Sequence, residues 1–128
     1  MILVDTSVLI DSLRKGGSKL QQLFVTHGAA MCGINRAEVL YGARDAAHHG
    51  KLVNALASFP QVPIPDALWD SVGRHLFLLR THGVTVPFQD VVIATLAIEN
   101  DLELWTRDGQ FTLIRGVLPG LKLFREPP

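Results

Sequence analysis

Asp5 interrupts an apolar opening, MILVDTSVLIDSL, where Ile2, Leu3 and Val4 would otherwise run on towards Val8, Leu9 and Ile10 as one buried element. Burying an unpaired carboxylate costs several kcal/mol or forces it to take up a proton, so an aspartate here needs a reason. Three further acids follow short apolar runs: Glu38 after AAMCGI, Asp90 after VTVP and Asp108 after LELWT. Singly, each has an ordinary structural role. Asp5 can cap the helix after it, Asn35-x-x-Glu38 has the spacing of a capping box, Asp90 in a first helical turn suits the helix dipole, and Asp108-Gly109 is a common turn dipeptide. Gathered at one cleft, they are a different matter. Two carboxylates about 5 Å apart repel by about 3 kcal/mol at an effective dielectric near 20. The natural offset is a hard divalent cation, Mg²⁺ or Mn²⁺, which takes oxygen ligands and keeps several waters. An ion held in this way lowers the pKa of a bound water, orients a phosphodiester and stabilises its leaving oxygen. Zinc has no comparable donor set. His48 and His49 are adjacent and face different directions on a helix, while His27, His75 and His82 fall near expected helix ends, where a surface role is the simpler reading.

The acids can converge only if the chain places them on one edge. Short apolar runs alternate with longer amphipathic ones, the pattern of an α/β protein whose parallel sheet is flanked by helices. Strands are expected at 2–5, 29–34, 62–64, 102–106 and 121–124, with 84–87 ambiguous between strand and loop. Helices are expected at 7–14, from Ser18 to about Val25, within NRAEVLYGARD, at 48–58, from Pro65-Asp66 to His82-Gly83, and from Gln89 to Asn100. Ligand clefts of open parallel sheets lie past the carboxyl ends of the strands. Asp5, Glu38, Asp90 and Asp108 all fall there, whereas Asp101 and Glu103 fall at the opposite edge and Asp11, Asp45, Asp70 and Glu99 on solvated helix faces. Asp66 also follows a strand run and is taken as a helix cap.

The chain has 128 residues, 48% of them hydrophobic, enough for one domain over 1–128 that buries roughly two thirds of its unfolded surface. Twelve basic residues balance twelve acidic ones, so no global positive field draws in nucleic acid. Cys32 is the only cysteine and sits in an apolar run, as a buried reduced thiol would. No run approaches the ~20 apolar residues of a membrane span, which leaves a soluble, cytoplasmic protein as the expectation.

Four segments together, MILVDTSVLIDSL, INRAEVLYGAR, PFQDVVIATLAI and LELWTRDGQF, resemble in order and spacing the acidic motifs of PIN-domain nucleases, and the short length is most similar to the VapC toxins of type II toxin-antitoxin modules. The resemblance implies a three-layer α/β/α sandwich with a central parallel sheet. It also implies a Mg²⁺- or Mn²⁺-dependent endoribonuclease acting on RNA, homodimerisation, and inhibition by a cognate antitoxin. Asp5, Glu38, Asp90 and Asp108 carry over as the catalytic and metal-binding acids. Thr6, Ser7 and Thr106 match hydroxyl positions that orient them. Many relatives have a further acid before the phenylalanine of the last motif, where this chain has Gln110 before Phe111; a missing carboxylate favours one tightly held ion over two, and both numbers stay open. With four acids committed to metal, twelve basic residues face eight acidic ones, a surplus of +4 that suits an RNA backbone. Arg36 and Arg107, beside the acids, are candidates for phosphate contacts. Tyr41 and Trp69 can stack on bases, although a helix aromatic is more often core. Three other readings compete: a PIN-like protein-binding module without nuclease activity, a housekeeping RNA-processing nuclease, and a receiver domain. The last needs an acidic pair after the first strand, where Asp5 stands alone, and a late lysine, where Lys122 falls within an expected strand.

Overall fold

The computed structural model describes residues 1–14 and 16–128. Its elements, in chain order, are β1 (Ile2–Val4), α1 (Thr6–Leu13), α2 (Ser18–His27), β2 (Ala29–Ala30), α3 (Gly33–Tyr41), α4 (Ala46–Leu56), α5 (Leu68–Thr81), α6 (Phe88–Glu99), β3 (Glu103–Trp105), α7 (Gln110–Val117) and β4 (Lys122–Leu123). The four strands form one parallel sheet in the order β2-β1-β3-β4. The expected α/β/α sandwich follows from the side-chain alternation along these strands. Leu3, Ala30 and Leu104 point into a core made with α5, α6 and α7. Ile2, Val4, Ala29 and Trp105 point the other way, into a core with Val8 and Leu9 of α1, Phe24 of α2, Val39 of α3, and Leu52 and Leu56 of α4.

From β1 the chain crosses to one neighbour, β2, and only later, through α3 to α6, returns to the other, β3. Such a reversal opens a crevice at the carboxyl ends of the central strands. Asp5 stands at its floor, with its backbone N–H donating to the Trp105 carbonyl at 2.8 Å. More than two turns of α6 are buried without a break, from Asp90 to Ala97, so this helix is apolar nearly all round, and its first turn brings Asp90 to the crevice.

Several local expectations change. Residues 62–64 are not a strand: Val62 N–H donates to the Met31 carbonyl at 2.8 Å and Met31 pairs with Gln61 in a single bridge. Pro63 and Pro65 have no N–H with which to extend that ladder. The second strand stops at Ala30 because α3 begins at Gly33, earlier than the motif suggests. Residues 84–87 are loop, and Pro87 is the N-cap of α6. Helix α2 starts at Ser18 as expected, with Gly17 at its N-cap, and runs on to His27. Asp66 offers only its backbone carbonyl, to Trp69 N–H at 3.2 Å, and α5 begins after Ala67. His75 is buried in the middle of α5, not on the surface at a helix end, and its Nδ1 lies 2.8 Å from the Thr95 hydroxyl of α6. Helix α7 was not anticipated. Its sequence QFTLIRGV is rich in poor helix formers, and it is held by Phe111 and Ile114, with Leu118 beyond it, packed into the core. No helix is long and apolar enough to cross a membrane among the described residues.

Candidate active site

Asp5 is the N-cap of α1 by backbone alone: its carbonyl accepts from Val8 and Leu9 N–H at 3.1 Å each, while its carboxylate makes no capping bond. The side chain is turned to other partners. The hydroxyls of Ser7 and Thr106 both donate to Asp5 Oδ2 at 2.9 Å, and none of the bonds described reaches Oδ1. Two donors, one from the start of α1 and one from just past β3, fix one oxygen of a buried carboxylate.

Glu38 is positioned by a longer relay. Thr6 Oγ1 donates to Glu38 Oε1 at 2.9 Å and accepts from Asn35 Nδ2 at 3.3 Å. Asn35 Oδ1 in turn accepts from the backbone N–H of Cys32 at 3.2 Å and lies 3.1 Å from its thiol. Asn35 is therefore not the cap of its helix. It sits in the first turn, reaches back to the N-cap residue Cys32, and is wholly buried at 0% exposure. Its role was hidden by the capping-box spacing. The available signal is an amide one turn before a candidate acid, Glu38, on the same helix face. Cys32 is buried and free, and burial raises its thiol pKa, as expected of an inert thiol.

Asp90 is the most unusual group. It occupies the first turn of α6, is only 7% exposed, and its Oδ2 is buried with no hydrogen-bond partner. A carboxylate at a helix N-terminus is ordinarily stabilised in its charged form. Here burial dominates, and Asp108, Asp5 and Glu38 add repulsion, so the pKa is pushed up to about 7. Three of the acids singled out in the sequence thus act on the fourth across the crevice. Asp108 is the exposed member: its N–H donates to Thr106 Oγ1 at 3.0 Å and its Oδ1 accepts from Gln110 N–H at 3.0 Å, so it also serves the turn into α7.

A buried carboxylate oxygen without a donor, faced by three other acids, is a place where a cation fits. Oxygen ligands alone suit Mg²⁺ or Mn²⁺. Among the described residues no group of three or more His, Cys, Asp or Glu side chains closes on one point.

Arg107 does not face the crevice. Its Nε and Nη2 donate to the two oxygens of Glu126 at 2.7 and 2.9 Å, and its Nη1 to Asp11 Oδ2 at 2.8 Å. Its backbone N–H does serve the site, donating to Ser7 Oγ at 3.1 Å. Arg36, on α3, is half-buried. Tyr41 and Trp69 are not core: they are 93% and 44% exposed.

An acidic crevice at the switch point of a four-stranded parallel sheet, between two helical layers, is the architecture of an open α/β domain with its ligand cleft at the carboxyl edge of the strands. The sequence matches the PIN domain family model over residues 2–117, and the chain belongs to that family. Among solved structures it is similar to a chain of VapBC2 from Rickettsia felis bound to a DNA fragment from their promoter, with a TM-score of 0.81, 18% identity, and 99% of this chain and 100% of that chain covered. DNA-bound VapBC from Salmonella typhimurium gives 0.81 at 18% identity, covering 97% and 98%. A toxin-antitoxin complex from Klebsiella pneumoniae gives 0.68 at 25% identity, covering 94% and 95%. No curated protein sequence matches.

Proposed function

We propose that this chain is a Mg²⁺- or Mn²⁺-dependent endoribonuclease and the toxin of a toxin-antitoxin pair, with residues 1–128 forming one catalytic domain. The observation that carries the reading is Asp90 Oδ2, buried without a donor and surrounded by Asp5, Glu38 and Asp108 in a chain of the PIN family. Those four acids would hold the ion. Once bound, it supplies a water of lowered pKa and a positive charge against the scissile phosphate.

The chain's own residues prepare that chemistry. Ser7 and Thr106 lock one oxygen of Asp5, and Thr6, held by Asn35, locks one oxygen of Glu38. Asp90 holds a proton up to about pH 7 and releases it when the crevice takes up positive charge. Arg36 is the remaining candidate for a phosphate contact, beside the surplus of basic residues outside the crevice. The protein partners of this reading are an antitoxin and a second copy of the chain, and its setting is the cytoplasm. Support for the antitoxin comes from a solved structure the chain resembles, from Klebsiella pneumoniae, which is described as a toxin-antitoxin complex.

The test is cleavage of a structured RNA by the purified chain with Mn²⁺ and with excess EDTA, beside a growth assay on expression. We expect cleavage only with metal, growth arrest by the wild type, and loss of both in Asp5→Asn. Undiminished cleavage in EDTA would refute the mechanism. Equal toxicity of Asp5→Asn would refute the assignment of the acids. A chain that binds an antitoxin yet cuts nothing is a binding module, and one that cuts RNA without arresting growth is a housekeeping nuclease.

A further inference from the structure

Arg107 poses a problem that the proposed metal site makes sharper. It lies between Thr106, which bonds Asp5, and Asp108, a member of the acidic crevice. A flexible guanidinium tethered there is a competitor for any divalent ion, because it can neutralise the same carboxylates and donate to them bidentately. Yet the charges that act on Asp90 are those of Asp108, Asp5 and Glu38, all negative.

The structure shows where the guanidinium goes instead. Asp11 lies one helical turn along α1 from Ser7, about 6 Å along the axis. The Arg107 backbone N–H sits on Ser7 Oγ, while its side chain runs down to Asp11 Oδ2 at 2.8 Å. On the far side Glu126, beyond β4, takes a two-pronged grip at 2.7 and 2.9 Å. Glu126 is itself aimed by Trp105 Nε1, which donates to its Oε1 at 2.8 Å, and the Trp105 ring is buried in the core. Isolated surface pairs contribute little, but a planar fork matched to a carboxylate that is anchored by a buried indole holds geometry well.

We infer that Glu126 is a positioning residue that, with Asp11, draws the Arg107 guanidinium out of the acidic crevice and so keeps the charge of Asp5, Glu38, Asp90 and Asp108 available to a divalent cation. The inference rests on the metal site proposed above. Glu126 touches neither ion nor substrate in this role. It acts through Arg107, so its loss should matter only while Arg107 is present.

The test is Mn²⁺ binding to the full-length chain by isothermal titration calorimetry, at fixed pH and ionic strength. It compares wild type, Glu126→Ala, Arg107→Ala, the double variant Glu126→Ala/Arg107→Ala, and Asp90→Asn as a reference for the site itself. We expect Glu126→Ala to bind about tenfold more weakly, the effect of a unit positive charge within roughly a Debye length of the ion. Arg107→Ala and the double variant should bind at least as tightly as wild type. Wild-type affinity in Glu126→Ala overturns the inference and leaves the metal site standing. A double variant as weak as Glu126→Ala also overturns it, since Glu126 would then act through the packing of the tail on Trp105. If the folded wild type binds no Mn²⁺, or Asp90→Asn binds as well as wild type, the metal site as proposed fails and the inference goes with it.

Discussion

Replacing Asp90 with asparagine should stabilise the metal-free protein, by an amount that grows with pH. The Asp90 pKa rises from 3.8 to about 7 on folding, through burial first and then through Asp108, Asp5 and Glu38. Three units correspond to about 4 kcal/mol of differential interaction. Between the two pKa values the native state binds more protons than the unfolded chain, so stability falls as pH rises, by at most about 1.4 kcal/mol per unit. Below the lower value both states are protonated and the cost vanishes; above the upper value it is present in full. Asparagine has the same shape and no charge, and it removes no hydrogen bond at Oδ2, which has none. What it forfeits is the attraction of a carboxylate for the start of α6, about 0.3–1 kcal/mol. The net gain should therefore be close to zero near pH 4 and reach about 3 kcal/mol at pH 8. Urea melts of both proteins in EDTA across that range would measure it, provided the slope against denaturant is common to both. A mutant less stable by a pH-independent 0.3–1 kcal/mol would mean that Asp90 is an ordinary helix-terminal carboxylate, and the reasoning would fail. Repeating the melts with Mn²⁺ adds a second reading. At a hundredfold excess over Kd the wild type should gain about 2.7 kcal/mol, and the mutant little.

Two further outcomes probe groups around the site. Asn35→Ala should cost about 1–3 kcal/mol, because it strands the buried Cys32 N–H, and it should lower RNA cleavage by loosening Thr6 and Glu38; a melt and a cleavage rate at saturating metal check both, and wild-type values in both would exclude Asn35 from the relay. His75 has the opposite pH dependence to Asp90. Burial holds its pKa below the ordinary 6.5, helped by Arg74 and opposed by Glu99, so it contributes stability that is present above 6.5 and lost as the pH falls through its folded value. His75→Gln should flatten that acid limb in urea melts at graded pH, and an unchanged limb would show that some other group causes it.

The order of elements and the positions of the acids are legible in the sequence, because both rest on local chemistry. Side-chain periodicity marks helices and strands along a few residues, and an acid at the end of an apolar run is conspicuous wherever the run packs. Hence β1, α1, α5, α6 and β3 fall close to their expected places, and Asp5, Glu38 and Asp108 lie near enough to act on the charge of Asp90. The apolar run at 62–64 misled the strand expectation, because Pro63 and Pro65 lack the donors that would extend a ladder beyond the single Met31–Gln61 bridge. Partner choice was another matter. Whether Arg107 faces phosphate, the crevice or a tail depends on bringing residues 107, 11 and 126 to one point, and only the parallel crossovers do that. Helix α7 has weak propensity of its own and exists because Phe111 and Ile114 fill space beneath α5 and α6. His75 was placed on the surface and is buried because the facing position of α6 supplies Thr95. In each case the deciding term is a contact between segments distant in sequence, to which neither spacing nor composition is sensitive; the chain specifies which groups exist and at what intervals, and the packing of two helical layers on one sheet decides which of them meet.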